Sequence, residues 1–186
     1  LYSSAVVDTQ NNRNINRVHR FDWQSEVNHT LYVYPDNAVF IGVSPAPKGG
    51  CFLGVKVNYG DTLMLYLNSE GKATRLSSGK GFFEYIGEKN GRCYFSTDEN
   101  APMGHVLSIA AEDVEREDAL VDGFAVALAE MDASLESVGL TDEGILAVHS
   151  RNACSEMVLY SFEGKKLREI AMPSEYGAIS TGGTME

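Results

Sequence analysis

Four histidines, three cysteines and a Gly-Lys-Gly loop are the groups with chemistry to offer in this chain of 186 residues. A serine hydrolase presents its nucleophile as G-x-S-x-G on a strained strand-to-helix turn. That spacing is absent, and the nearest string, Gly177-Ala178-Ile179-Ser180-Thr181-Gly182, places its serine wrongly and leads into no helix. A catalytic triad also needs a histidine held by a carboxylate. His19 and His105 fall in or at expected strands, His149 follows one and His29 sits in a turn, each isolated from a nucleophile, so all four read as structural.

Other chemistries fail on spacing. Gly79-Lys80-Gly81 lacks the upstream glycine and following Ser/Thr of a phosphate-binding loop, and the acids of Glu112 to Asp118 (EDVERED) lack calcium-loop spacing. That run reads as a solvated loop ahead of an outer strand. Cys51, Cys93 and Cys154 are far apart, odd in number and set in or beside apolar runs, which indicates neither a zinc site nor a disulfide framework. They read as buried free thiols of a reducing compartment, so the expected location is cytoplasmic. No catalytic residue, metal site or cofactor is expected.

A net charge of -11 repels phosphate backbones, and no Lys/Arg cluster interleaved with aromatics offsets it, so nucleic acid is not an expected partner. The longest apolar run falls short of a membrane span and no charged-then-apolar leader opens the sequence, so no membrane partner is expected either.

The elements that would position any site are strands. Val55 to Leu76 (VKVNYGDTLMLYLNSEGKATRL) contains a strand end, an Asn58-Tyr59-Gly60-Asp61 corner, a strand Leu63–Leu67, an Asn68-Ser69-Glu70-Gly71 turn and a third strand. The corners carry residues that tolerate φ > 0 or bond their own backbone. Further sets run through Phe82–Ile86, Asn90-Gly91, Cys93–Ser96, His105–Ile109 and a short fourth strand at Ala119-Leu120-Val121, then through Leu135–Leu140, Ile145–Val148, Met157–Phe162 and Lys166–Ile170. Phe124, Leu128 and Met131 fall at helical spacing within 123–134, which fits a short amphipathic helical turn or an irregular strand.

The sets repeat. Gly50, Gly91 and Gly144 occupy one corner, and residues 64–76 align with 158–170, a separation of 94 taken at Tyr66 and Tyr160 with one set between. A period of about 47 residues with four strands each is the signature of a β-propeller blade. The fold class is therefore all-β, built of four-stranded antiparallel meanders: a blade remnant 1–36, blades 37–80, 81–123 and 124–173, and the start of another at 174–186. Strand character from Leu1 onward reads as a piece cut from something longer.

With strands and corners placed, the chain resembles the propeller domain of the prolyl oligopeptidase family of serine peptidases. The likeness is carried by the Gly60-Asp61 corner with Leu65-Tyr66, by Tyr94 to Pro102 (YFSTDENAP), and by Leu159-Tyr160, Gly164, Glu169-Ile170, Pro173 and Gly177. The resemblance implies three to four blades of a seven-bladed propeller set over an α/β-hydrolase domain of the same parent chain. It further implies short peptide substrates, cleaved after proline, with the propeller gating their access. The family's middle-blade loop between second and third strands maps onto Lys56 to Asp61, which lacks the cysteine several members carry there. Lys56, Asn58 and Tyr59 are the residues expected at the rim facing the hydrolase domain. A non-catalytic propeller scaffold for protein–protein binding is the competing reading, and an incomplete ring would self-associate when isolated.

Overall fold

A computed structural model describes residues 1–116, 119 and 123–171. Fifteen strands lie along them: β1 Tyr2–Asp8, β2 Arg13–Asp22, β3 Val27–Val33, β4 Phe40–Pro45, β5 Cys51–Lys56, β6 Thr62–Leu67, β7 Ala73–Arg75, β8 Phe83–Lys89, β9 Arg92–Thr97, β10 His105–Ala110, β11 Ala125–Leu128, β12 Ser134–Leu140, β13 Ile145–Arg151, β14 Cys154–Tyr160 and β15 Lys166–Ile170. They form one sheet of three strands, β1-β2-β3, and three of four, β4 to β7, β8 to β11 and β12 to β15. Each strand pairs with its sequence neighbours, as a run of hairpins requires.

The described residues divide into two compact units, one from Leu1–Tyr85 with Ala111–Gly123, the other from Ile86–Ala110 with the residues from Phe124 onward. In the first unit, Cys51, Leu53 and Val55 of β5 join Leu65 and Leu67 of β6, Ile41 of β4 and Val18 of β2 in one cluster. The intervening Phe52 is also buried, packing on Tyr66 and Tyr85 at centroid distances of 5.5 and 4.4 Å. A strand covered on both faces is what a blade between neighbours needs, and burying Leu53 alone stabilises by about 1.5–3 kcal/mol. In the second unit Tyr94, Val106, Ala127, Ile145, Ala147 and Tyr160 build the corresponding core.

The corner shared by Gly50, Gly91 and Gly144 is real, but its glycines are there for different reasons. A Cβ on Gly50 would lie 2.6 Å from the Leu67 carbonyl oxygen, and one on Gly144 would overlap the Tyr160 carbonyl. Gly91 has open space around it and is required by its φ of +71°.

Three expectations change. The fourth strand of the β8 sheet is Ala125–Leu128. It replaces the expected strand at 119–121, of which Leu120 and Val121 lie outside the described residues, and it takes the segment expected to be helix or irregular strand. Phe124 is held by an edge-on contact with Phe95 at 5.5 Å, so the apolar spacing serves sheet packing. The repeat alignment also shifts by one. Asn68 N donates to Lys72 O and Gly71 N to Asn68 O, and the same pair of bonds runs from Ser161 to Lys165 and from Gly164 to Ser161. Asn68 therefore matches Ser161, a separation of 161 − 68 = 93, and Tyr160 matches Leu67 instead of Tyr66. One residue reverses a strand's faces: Tyr160 enters the core that Leu67 enters in its own sheet, while Tyr66 points the other way. Finally, His29 lies in β3 and His149 within β13, inside strands instead of in a turn or after a strand. The blade start expected at 174–186 lies outside the described residues.

Candidate functional site

The corner between β5 and β6 is a five-residue loop, residues 57–61, where the corresponding place between β13 and β14 is a two-residue turn, Asn152-Ala153. Its shape comes from Asn58. The Asn58 carboxamide oxygen accepts from Gly60 N at 2.8 Å and Asp61 N at 2.7 Å, and Asn58 Nδ2 donates to Asp61 Oδ2 at 2.6 Å. Asp61 Oδ1 in turn accepts the Gly81 amide at 2.7 Å, while Thr62 N donates to Gly81 O at 2.8 Å. The Gly81 hydrogen bond first, then that from Asn58, hold the Asp61 carboxyl below its ordinary value. Tyr59 is left at the tip, 99% exposed.

Lys56 closes β5 opposite Thr62. Its Nζ donates to Thr62 Oγ1 at 2.7 Å and stands 5.3 Å from the centre of the Phe82 ring, a cation–π arrangement. Beside it, an open cleft of about 240 Å³ runs across the face of β4, β5 and β6. Gly42 and Gly54, paired across β4 and β5, leave its floor without side chains, and Phe40, Phe52, Phe82 and Tyr85 are among its walls. The structure thus brings Lys56, Asn58 and Tyr59 to one end of one sheet, with Lys56 turned into the cleft. Asp61 of the same corner, Thr62 and Phe82 complete that end; no motif in the sequence marks Thr62 or Phe82. Nothing in the spacing of Gly79-Lys80-Gly81 signals a tie to Asp61 twenty residues back.

The histidines are less isolated than their spacing suggests. His19 Nε2 lies 2.8 Å from Ser4 Oγ, and its Nδ1 lies 3.2 Å from Thr30 Oγ1, three adjacent strands contributing one residue each. The Tyr2 ring stacks on the imidazole at 4.9 Å. This corrects the expectation that no nucleophile type stands near a histidine. A hydroxyl, Thr30 Oγ1, occupies the place a triad gives to a carboxylate. His149 is buried, its Nε2 3.3 Å from Tyr160 Oη and its Nδ1 without a hydrogen-bond partner; burial depresses its pKa. His105 is half-buried and depressed for the same reason.

Burial pushes the thiols of Cys51 and Cys93 up to about 11 and about 12 respectively, whereas Cys154 is only half-buried. Among the described residues no group of three His, Cys, Asp or Glu could hold a metal ion, and no helix is long and apolar enough to cross a membrane.

Successive four-stranded antiparallel meanders, with central strands buried on both faces, are blades of the β-propeller class. Their fold is that of the propeller part of prolyl oligopeptidases. A prolyl endopeptidase matches 93% of this chain with a TM-score of 0.68 at 18% identity, over 26% of its own length. Prolyl oligopeptidase B from Galerina marginata, bound to a 35mer hydrolysis and macrocyclization substrate, matches 91% with a TM-score of 0.69 at 19% identity, over 25% of its length. Oligopeptidase B from Leishmania major matches 92% with a TM-score of 0.59 at 13% identity, over 25% of its length. The chain thus spans about a quarter of the proteins whose fold it shares. No protein-family model and no curated protein matches it.

Proposed function

We propose that this chain is a non-catalytic propeller segment of a prolyl-oligopeptidase-like serine peptidase. The parent hydrolyses short peptides after proline in the cytoplasm. An α/β-hydrolase domain of the same parent supplies nucleophile and base, and the propeller, seven-bladed when whole, limits which substrates reach them. Lys56, Asn58 and Tyr59 form part of the rim that meets the hydrolase domain. Isolated from the rest of its ring, the segment self-associates.

The observation that carries this reading is the fold likeness over more than nine-tenths of the chain to enzymes of this kind. The corner adds support: it is tied down by Asn58 and Asp61 yet holds an aromatic ring wholly in solvent at Tyr59, a residue type that recurs at interfaces. A test lies in the parent enzyme. Tyr59→Ala is expected to raise kcat/KM for proline-containing peptides of some thirty residues at least threefold relative to a five-residue peptide. An unchanged ratio removes the corner from the gate, and a parent with no G-x-S-x-G nucleophile overturns the peptidase reading.

A further inference from the structure

One cross-strand row of β4, β5 and β6 is nearly bare in the middle of an otherwise aromatic face. Register sets Phe40, Lys56 and Thr62 side by side in one row, Gly42, Gly54 and Met64 in the next, and Ser44, Phe52 and Tyr66 in a third. Gly42 and Gly54 therefore leave a trough with Lys56 on one side and the Phe52 ring on the other. That trough is the floor of the cleft of about 240 Å³, whose lining lies wholly within one compact unit.

Among the described residues, neither backbone conformation nor packing requires these two glycines. Neither has a positive φ. A Cβ on Gly42 would stand 3.9 Å from the Gly54 carbonyl oxygen and one on Gly54 3.7 Å from Thr62 Cγ2, both ordinary contacts. Glycine inside a strand gives up side-chain packing and costs backbone entropy, and it marks places where a ligand or another backbone approaches closely.

Lys56 is the one cation among the described residues that line the cleft. An ammonium has three N–H bonds to give; Lys56 Nζ gives one to Thr62 Oγ1 at 2.7 Å, and the Phe82 ring 5.3 Å away helps to hold the head in place. The carboxylate of the neighbouring corner, Asp61, is engaged by Gly81 N and Asn58 Nδ2.

We propose that the cleft binds a small aromatic carboxylate: the ring lies over Gly42 and Gly54, and the carboxylate accepts from Lys56 Nζ. A cavity of roughly 150 Å³ holds a benzene molecule, so the cleft has room for one ring and a short arm. The glycine and lysine rows stand about 7 Å apart, two residues at roughly 3.4 Å each, which a two-carbon arm between ring and carboxylate spans. Phe52 and Met64 offer ring and sulfur contacts that favour an aromatic guest over an aliphatic one. A free acid has this chemistry, and so does the C-terminal phenylalanine or tyrosine of a peptide. The site stands independently of the peptidase reading.

Saturation-transfer NMR on the 186-residue chain tests it. Hydrocinnamate is expected to bind with a dissociation constant of about 1 mM, as suits so small a ligand, and about fivefold tighter than phenylpropylamine, whose charge would suit the exposed Glu84 of the same cleft. Lys56→Met is expected to abolish that preference. Gly42→Ala combined with Gly54→Ala is expected to weaken hydrocinnamate about tenfold by filling the floor, in a chain that melts no lower than the parent. A tripeptide ending in phenylalanine, run beside its C-terminal amide, separates the two sources: tighter binding than hydrocinnamate assigns the site to peptide ends, weaker binding to free acids, and either order supports it. Absence of saturation transfer to hydrocinnamate, equal or tighter binding of the amine, or binding unchanged by the two alanines overturns the proposal.

Discussion

Asp61 Oδ1 accepts the Gly81 amide at 2.7 Å, tying the corner after β5 to the link that leads into β8. Asn58 holds the same corner from within through two backbone amides and the Asp61 carboxylate. Asn58→Ala is therefore expected to destabilise by about 1 kcal/mol, the usual net value of such bonds. Tyr59→Ala, at a wholly exposed side chain, is expected to stay within about 0.5 kcal/mol. Urea unfolding of both variants separates the residue that shapes the corner from the one the corner displays.

Glycine variants sort by mechanism. Gly144→Ala places a Cβ on the Tyr160 carbonyl and is expected to cost about 2–3 kcal/mol through a forced shift of the backbone. Gly91→Ala, in open space at φ +71°, is expected to cost about 1–2 kcal/mol from the left-handed conformation alone. Gly139, with nothing within 4 Å, accepts alanine within about 0.5 kcal/mol. Equal losses at Gly91 and Gly144 in thermal melts would refute the distinction.

The sheets were legible because alternation and turn chemistry are local: Asn58, Asn68 and Asn90-Gly91 mark corners that the fold keeps. Register was not. Aligning Tyr66 with Tyr160 is the natural choice by residue identity, yet the turn bonds of Asn68 and Ser161 set the repeat one residue away and put the two tyrosines on opposite faces. The place of β11 was also hidden, since nothing local tells how long a connection from β10 runs before pairing resumes. At the candidate site, Lys56, Asn58 and Tyr59 follow from the resemblance alone. Ser4 beside His19 and Gly81 beside Asp61 are meetings of distant residues that no spacing rule signals.

Acid should loosen the second unit by way of two histidines. Burial holds His105 and His149 below the ordinary value of 6.5, against the opposing pull of Glu130 and Glu99 on the first and Glu156 on the second. A base depressed by folding binds its proton more readily when unfolded. Its contribution is whole above 6.5 and is lost as the pH falls through the folded value. The melting temperature is expected to fall from pH 7 to pH 5, and less steeply in His149→Leu. Parallel slopes for the two proteins would rule His149 out as the cause.

Thiol titration reads the cysteine environments directly. With pKa values pushed up to about 11 and about 12, Cys51 and Cys93 carry about one thiolate per thousand or fewer at pH 8. A disulfide reagent is expected to label one thiol per native chain quickly and three in guanidinium. Cys154→Ser is expected to abolish the fast phase; its persistence would mean that a buried strand opens.

Because the backbone ladders of each sheet run only between strands that are neighbours in sequence, a chain leaving the ribosome can finish one ladder before the next emerges. Side chains reach further, Ser3 Oγ to Ile41 O and Lys48 Nζ to Glu112 O, and Tyr66 adds a third such tie. Its hydroxyl meets Glu115 Oε1 across 49 residues, so the second meander gains that last bond only after most of the third has been made.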